Sequence, residues 1–398
     1  MIKVKKIRGD RIIWVTIFLL AIMSIISTYS ASSALAYRDK VSTFSVLLKQ
    51  LAFMGVGIVS LFTCYLVPIG WYRKLAVPLF ALALGFLTYL IFNGEVLNHA
   101  ARWINIFGFS FQPSEFAKVA TILYLAYILE TSKLVTFKEY AWKILVPIGA
   151  MIVLLLYGSA SSAILVTFVV GIILICAKIN KKFILITLGI GVCLVGFLYG
   201  LNKATGAFSR IDTFEKRIER FFTKDNSSMT KEEKAIRDEK DFQSNQAIEA
   251  IQLAKNGGRG PGNSIKRDML PHPYSDFIYA IIIEEWGIII ASILAMMYAW
   301  LFKRCIFIAS RCKKMFSTVL VIGLGFLITS QALLHIFVNV RIFPITGQTL
   351  PLISLGGTAL MVMGGAIGMI LSVNRTIEVS LEQNTIKPQN NETQENNN

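Results

Sequence analysis

Charge is what this 398-residue chain has least of: charged residues make up 16% of it, against 55% hydrophobic. A soluble fold of this length needs more polar surface than that, so the composition excludes a soluble enzyme and places the chain in a bilayer. The histidines are few and scattered (His99, His272, His335), which leaves no metal-ligand spacing to read and no metal site to assign. Five cysteines (Cys64, Cys176, Cys193, Cys305, Cys312) lie in or beside apolar runs without a CxxC pair, so neither a disulfide framework nor a zinc site is indicated. No internal repeat of the kind many secondary transporters carry is visible. The formal net charge of +16 would suit nucleic acid, but Lys and Arg gather at the ends of apolar runs, where they act as topology signals. No nucleic-acid partner is expected.

What is present is a succession of runs long enough to span roughly 30 Å of hydrocarbon. They predict an all-α, polytopic membrane fold with helices near 12–30, 46–67, 75–92, 114–130, 143–157, 162–178, 182–200, 277–302, 316–339 and 351–373. The basic MIKVKKIRGDR start resembles a signal peptide, but the run behind it is long enough to be an uncleaved first helix. Basic residues before the first helix and after the second, fourth, sixth and eighth put those ends, and both termini, in the cytoplasm. The connections 93–113, 201–275 and 340–350 then share the opposite face.

Within the long extracytoplasmic loop, Ile211, Phe214, Ile218 and Phe221 recur at helical spacing and predict a helix lying on the membrane surface. A second helix is predicted from about Ala235 to Lys255, ending at Gly257 and Gly258 before the glycine-rich NGGRGPGNS. The membrane domain is taken as 1–375, and the Asn- and Gln-rich stretch 376–398 as a disordered cytoplasmic tail.

Asp276, in PHPYSDFIYAIIIEEWG, stands at the outer mouth of a predicted helix, where partial desolvation suits a carboxylate to accept a proton from a hydroxyl. The plainer reading is a carboxylate complementing the helix dipole, with Ser275 as cap. Glu284 and Glu285 lie deeper in that helix and are read as hydrogen-bonding to neighbouring helices. Arg102, Trp103, Glu115 and Lys118 fall in ARWINIFGFSFQPSEFAKVA; either Arg102 and Lys118 offer charge to an anionic diphosphate, or Glu115 and Lys118, three apart, only neutralise each other. In NGGRGPGNSIKRDMLP, backbone amides with Arg259, Lys266 and Arg267 either cradle a phosphate or form a flexible turn. Asn339, Arg341 and Thr346 add polar groups near LPLISLGGTAL, where Gly356 and Gly357 suit close helix packing.

Together these stretches resemble the FtsW/RodA (SEDS) family. ARWINIFGFSFQPSEFAKV is similar to that family's RRWI…FQPSExAK; NGGRGPGNS with LPHPYSDFIYAIIIEEWG to GxGxGNS…LPEAHTDFIFAxxEExG; and FPITGQTLPLISLGGTAL to LPxxGxxLPxISYGG. The resemblance runs from the first helix to about Arg375, in the family's order, and is nearest to division-type members of Bacteroidetes-like bacteria. Two departures stand out: YSD replaces HTD, and the family's QxDLGTA reads YGSASSA here, without its acidic position.

The resemblance implies a glycosyltransferase that polymerises lipid II on the outer face of the cytoplasmic membrane, in septal wall synthesis, beside a class B penicillin-binding transpeptidase and other divisome proteins. Asp276 would be its catalytic base, with Arg102, Trp103, Glu115, Lys118, Lys266 and Asn339 binding substrate. A divalent cation (Mg or Mn) would fit such chemistry. The competing readings are a flippase for the same lipid, an elongation-type polymerase, and an inactive scaffold.

Overall fold

Inside a bilayer a backbone must satisfy its own hydrogen bonds, so apolar runs of this length have helix as their stable form. The computed structural model describes residues 8–31, 42–93, 95–97, 100–106, 109–205, 215, 231–254, 257–270 and 273–395. Its helices are α1 (Arg11–Ala31), α2 (Thr43–Leu66), α3 (Ile69–Asn93), α4 (Pro113–Thr131), α5 (Phe137–Gly158), α6 (Ala160–Cys176), α7 (Lys181–Thr205), α8 (Lys231–Leu253), α9 (Ile278–Ser310), α10 (Met315–Asn339) and α11 (Gly357–Glu395). All but α8 occupy the ten positions that hydropathy predicts. Among the described residues seven of these helices are long and apolar enough to cross a membrane, and α6 is a shorter apolar helix. The chain is a polytopic membrane protein.

Several boundaries differ from expectation for local reasons. α5 begins at Phe137 rather than 143, because Thr136 and Glu139 form a reciprocal capping box there, and it carries a π-helical turn at Ala141–Leu145. α9 is interrupted at Gly287, whose backbone (φ 78, ψ 169) is not helical. The last helix starts at Gly357 rather than 351, since Leu352 (φ 64) turns the chain at Pro351–Leu355. Beyond 375, where a disordered tail was expected, α11 continues to Glu395. The first turns of that extension are held: Glu378 accepts the Gly9 backbone N–H at 2.9 Å, and Glu382 pairs with Arg8. The surface stripe Ile211, Phe214, Ile218 and Phe221 lies outside the described residues, as do His99 and His272.

The 93–113 connection is a small antiparallel sheet, β1 (Glu95–Leu97), β2 (Ala100–Ile106) and β3 (Phe109–Phe111), with Ile104 opposite Phe111 and Ile106 opposite Phe109. Its alternating RWINI and FSF suit a strand with one buried face. Ile104 is buried, and Phe111 packs on Phe86 and Phe116.

α2 and α11 cross through glycine. A Cβ on Gly364 or Gly368 would run into the carbonyls of Gly57 or Leu61, and one on Gly357 would sit 2.9 Å from the Phe53 ring. Without a hydrophobic drive between helices in lipid, such backbone contact is what holds them together. Gly356 meets only ordinary contacts, so of the expected pair Gly357 carries the packing.

The connections at the end opposite the basic residues touch one another. Thr358 donates to the Ser110 carbonyl at 3.0 Å, the Leu355 N–H to the Tyr274 carbonyl at 3.0 Å, and Arg341 to the Asn245 side chain at 2.8 Å.

Candidate active site

Asp276 lies in the turn Pro273–Phe277 just before α9, partly exposed. Three hydrogen bonds hold this turn by its carbonyls: Leu355 N–H to Tyr274, Ser354 Oγ to Ser275 at 2.8 Å, and Asn339 Nδ2 to Asp276 at 3.1 Å. Ser275 does not cap α9, whose N-cap Phe277 makes no side-chain bond. Asn339 reaches in from the end of α10: its Oδ1 accepts the Ala280 N–H at 3.0 Å, a first-turn donor that it shares with the Phe277 carbonyl at 3.1 Å. It is also bonded to the His335 carbonyl at 2.9 Å and is buried, so its contacts are with the backbone around Asp276.

Lys118 is fully buried in α4. Its ammonium meets three acceptors: Glu115 Oε1 at 2.7 Å, Gln331 Oε1 at 2.6 Å and Gln348 Oε1 at 3.4 Å. An ammonium has three protons, so this shell is complete. Gln348 passes the network on, its Nε2 donating to Ser161 and Ser162, each at 3.0 Å, while its backbone carbonyl meets His335 Nδ1 at 2.8 Å. Lys118 is thus tied to the backbone of Asp276 by hydrogen bonds on Gln348, His335 and Asn339, the path crossing from side chain to backbone within Gln348 and within His335. The segment carrying Gln348 is strained, with non-glycine residues Arg341 (φ 57) and Leu352 (φ 64) in the left-handed region. Ser24 Oγ and Tyr298 OH hold it down, donating to the carbonyls of Ile353 at 3.0 Å and Pro351 at 2.5 Å.

The glycine-rich loop is neither a free turn nor an open cradle. The break at Gly287 frees the last carbonyls of the first part of α9, and the N–H groups of Arg259 and Gly260 bond to those of Glu284 and Glu285, each at 2.9 Å. Those amides are therefore spent on protein. Glu284 receives Ser264 Oγ at 2.5 Å and the Ile265 N–H at 2.8 Å, and Glu285 receives Ser30 Oγ, so both buried acids fasten the loop to α9 and α1. Lys266 pairs with Glu249 of α8 and lies beside that loop. α8 in turn packs Ala247 and Ala250 against Phe277, Ala280 and Ile281.

Trp103 is half-buried in β2, opposite Glu95; the Arg102 backbone is in the same strand, and its side chain is outside the described residues. The sequence reading missed Gln331, Gln348, Ser161 and Ser162. Each is a neutral residue in an apolar helix or a loop, and only the fold shows that they converge on one lysine. As for a cation, no three His, Cys, Asp or Glu side chains come together to hold a metal among the described residues, and Glu115, Glu284 and Glu285 are already committed to protein partners. The described residues do not fit a metal site.

The "Cell cycle protein" family model, FTSW_RODA_SPOVE, matches residues 10–378. The chain belongs to this family. Among its relatives, a "Probable peptidoglycan glycosyltransferase FtsW" of Geobacter sp. (strain M18) is 29% identical over 93% of this chain and 98% of that protein. "Stage V sporulation protein E" of Bacillus subtilis (strain 168) is 27% identical over the same shares of both chains. The fold is also that of a chain from a structure described as "Structural coordination of polymerization and crosslinking by a peptidoglycan synthase complex" (TM-score 0.70, 22% identity, 93% of this chain and 98% of that one). Rod shape determining protein RodA of Thermus thermophilus gives a TM-score of 0.64 at 21% identity, covering 92% of this chain and 97% of its own.

Proposed function

We propose that this chain is a peptidoglycan glycosyltransferase that joins lipid II units into glycan strands at the outer face of the cytoplasmic membrane, with both termini inside. The observation that carries the reading is the turn around Asp276: a partly exposed carboxylate whose backbone is bonded to Asn339 and whose neighbours are bonded to Ser354 and Leu355. A base must be held still at the wet edge of the membrane if it is to meet a sugar hydroxyl presented there. Asp276 takes the proton of the acceptor hydroxyl as its oxygen bonds to the donor's anomeric carbon. The bond from that carbon to the diphosphate oxygen breaks, and undecaprenyl diphosphate leaves.

Lys118 is covered on all sides and paired with Glu115, so its part is to hold α4 against the Gln348 segment. On this reading Arg102, in β2, and Lys266, which would exchange Glu249 for the substrate, supply charge to the leaving diphosphate, with Trp103 of β2 for the sugar. Glu115 balances Lys118, and Asn339 positions the base. The family and the FtsW relatives favour a role in septal synthesis, with a class B penicillin-binding transpeptidase and other divisome proteins as partners; the fold shared with a chain of a peptidoglycan synthase complex supports such a pairing.

The test is lipid II polymerisation by the purified chain, alone and with its transpeptidase, comparing wild type with Asp276→Ala and Asp276→Asn at matched folded yield. Glycan chains from wild type alone among the three support the base assignment. Near-full activity in both variants would make Asp276 structural. Movement of labelled lipid II across liposomes without polymerisation would establish the transporter reading, and round cells rather than filaments on depletion would assign the chain to elongation.

A further inference from the structure

The stretch Tyr157–Ala163, YGSASSA, has no acid where the family pattern QxDLGTA does, and Ser159 stands at that position. In the structure Ser159 is the N-cap of α6, accepting the Ser162 N–H at 3.3 Å, and its hydroxyl meets those of Ser161 at 3.2 Å and Ser162 at 3.0 Å. Those two hydroxyls are the acceptors of the Gln348 amide, whose oxygen faces Lys118. The same residue is tied through its backbone carbonyl to His335, which leads on to Asn339 and Asp276. Gln348 is thus the side chain that joins the buried lysine to the turn at Ser159, and it is buried itself.

We propose that Gln348 is a positioning residue for the glycosyl transfer: it links Lys118 to the start of α6, a link that a carboxylate at position 159 would provide instead. The proposal rests on the polymerase reading above. The physical case is that among the described residues Lys118 has one carboxylate partner, Glu115, and that the remaining protons go to two neutral amides. A buried ammonium that loses an acceptor must reorient or move. Its reorientation would shift the Gln348 segment, and through His335 and Asn339 the Asp276 turn. A glutamine is suited to this place because it both accepts from a cation and donates to hydroxyls, which neither a carboxylate nor an apolar residue does.

The experiment is a double-mutant cycle on the full chain in detergent or nanodiscs: wild type, Gln348→Met, Ser159→Asp, and the two together. Methionine has glutamine's length without its polar atoms. Lipid II polymerisation with the cognate transpeptidase gives kcat and KM, and thermal unfolding gives a readout independent of activity. We expect Gln348→Met to lower kcat roughly ten- to a hundredfold with KM changed by less than about threefold. With Asp at 159 the same change should cost about threefold or less.

Wild-type kcat in Gln348→Met, or losses that simply multiply in the double variant, would overturn the proposal. So would a cycle that couples in thermal unfolding while kcat is untouched, since that describes packing alone. If Gln348→Met does not purify as a monodisperse chain, recovery of the double variant supports the link, and failure of both rejects it. Should wild type not polymerise at all, the function proposed above fails; coupling between positions 159 and 348 in unfolding then still decides whether the link exists.

Discussion

Asn339 and Asp276 are joined by a hydrogen bond of 3.1 Å, from the side-chain amide of the first to the backbone carbonyl of the second. The same amide accepts the Ala280 N–H, so one buried side chain at the end of α10 holds both the base-bearing turn and the first turn of α9. Replacing Asn339 by Leu removes its bonds to the Asp276 carbonyl and to the Ala280 N–H, which keeps the Phe277 carbonyl as partner, and should cost about 0.5–1.5 kcal/mol. Thermal unfolding of the purified variant measures this, and polymerisation should fall further than the lost stability explains. A variant with wild-type melting and activity would remove Asn339 from the site.

Breaking the Glu115–Lys118 pair should be expensive because both side chains are buried. Lys118→Met strands a carboxylate, at about 3–5 kcal/mol. Adding Glu115→Gln removes the stranded charge, so the double variant should melt higher than Lys118→Met alone. The reverse order would mean that the pair is not what keeps these groups in place.

Gly258 (φ +72) lies so close to α9 that a Cβ would collide with the Glu285 carbonyl and the Gly287 nitrogen. Gly262 (φ +79) has open space around its missing Cβ. Alanine at 262 should cost about 1 kcal/mol from the backbone alone, whereas alanine at 258 should cost several times that and release the loop to proteases. Limited proteolysis of the two variants side by side checks the difference; equal protection would show that the loop is not docked.

The α2–α11 crossing is set by Gly57, Gly364 and Gly368. Gly364→Leu pushes the two backbones apart, so this variant should lose folded yield and melt well below wild type, while Gly149→Leu, at a site with open space, should not. Size-exclusion profiles in detergent distinguish the two.

Much of the architecture is legible in the residues, since a run such as Ile12–Ser30 has no other stable form in a bilayer, and the Glu115–Lys118 spacing announces its own ion pair. The sheet at 93–113 is not legible there, because three short strands fall below the pattern that hydropathy detects, although RWINI and FSF alternate. Hydropathy ends the last helix at 373 because composition is blind to the Arg8 and Gly9 contacts that hold its next turns.

By itself the sequence determined the class of fold, the order of the helices and the three signature segments, because these depend on local composition and spacing. Tertiary structure alone decided that the Arg259 and Gly260 amides of NGGRGPGNS are spent on Glu284 and Glu285, that Asn339 serves the backbone of Asp276, and that Gln331 and Gln348 meet Lys118 while two serines hold Gln348. The reason is physical. A neutral amide carries no sign in the sequence of whether its partner is water, backbone or a buried cation, and that choice is made only when segments distant in the chain, 63 residues for Asn339 and Asp276 and 230 for Gln348 and Lys118, pack together.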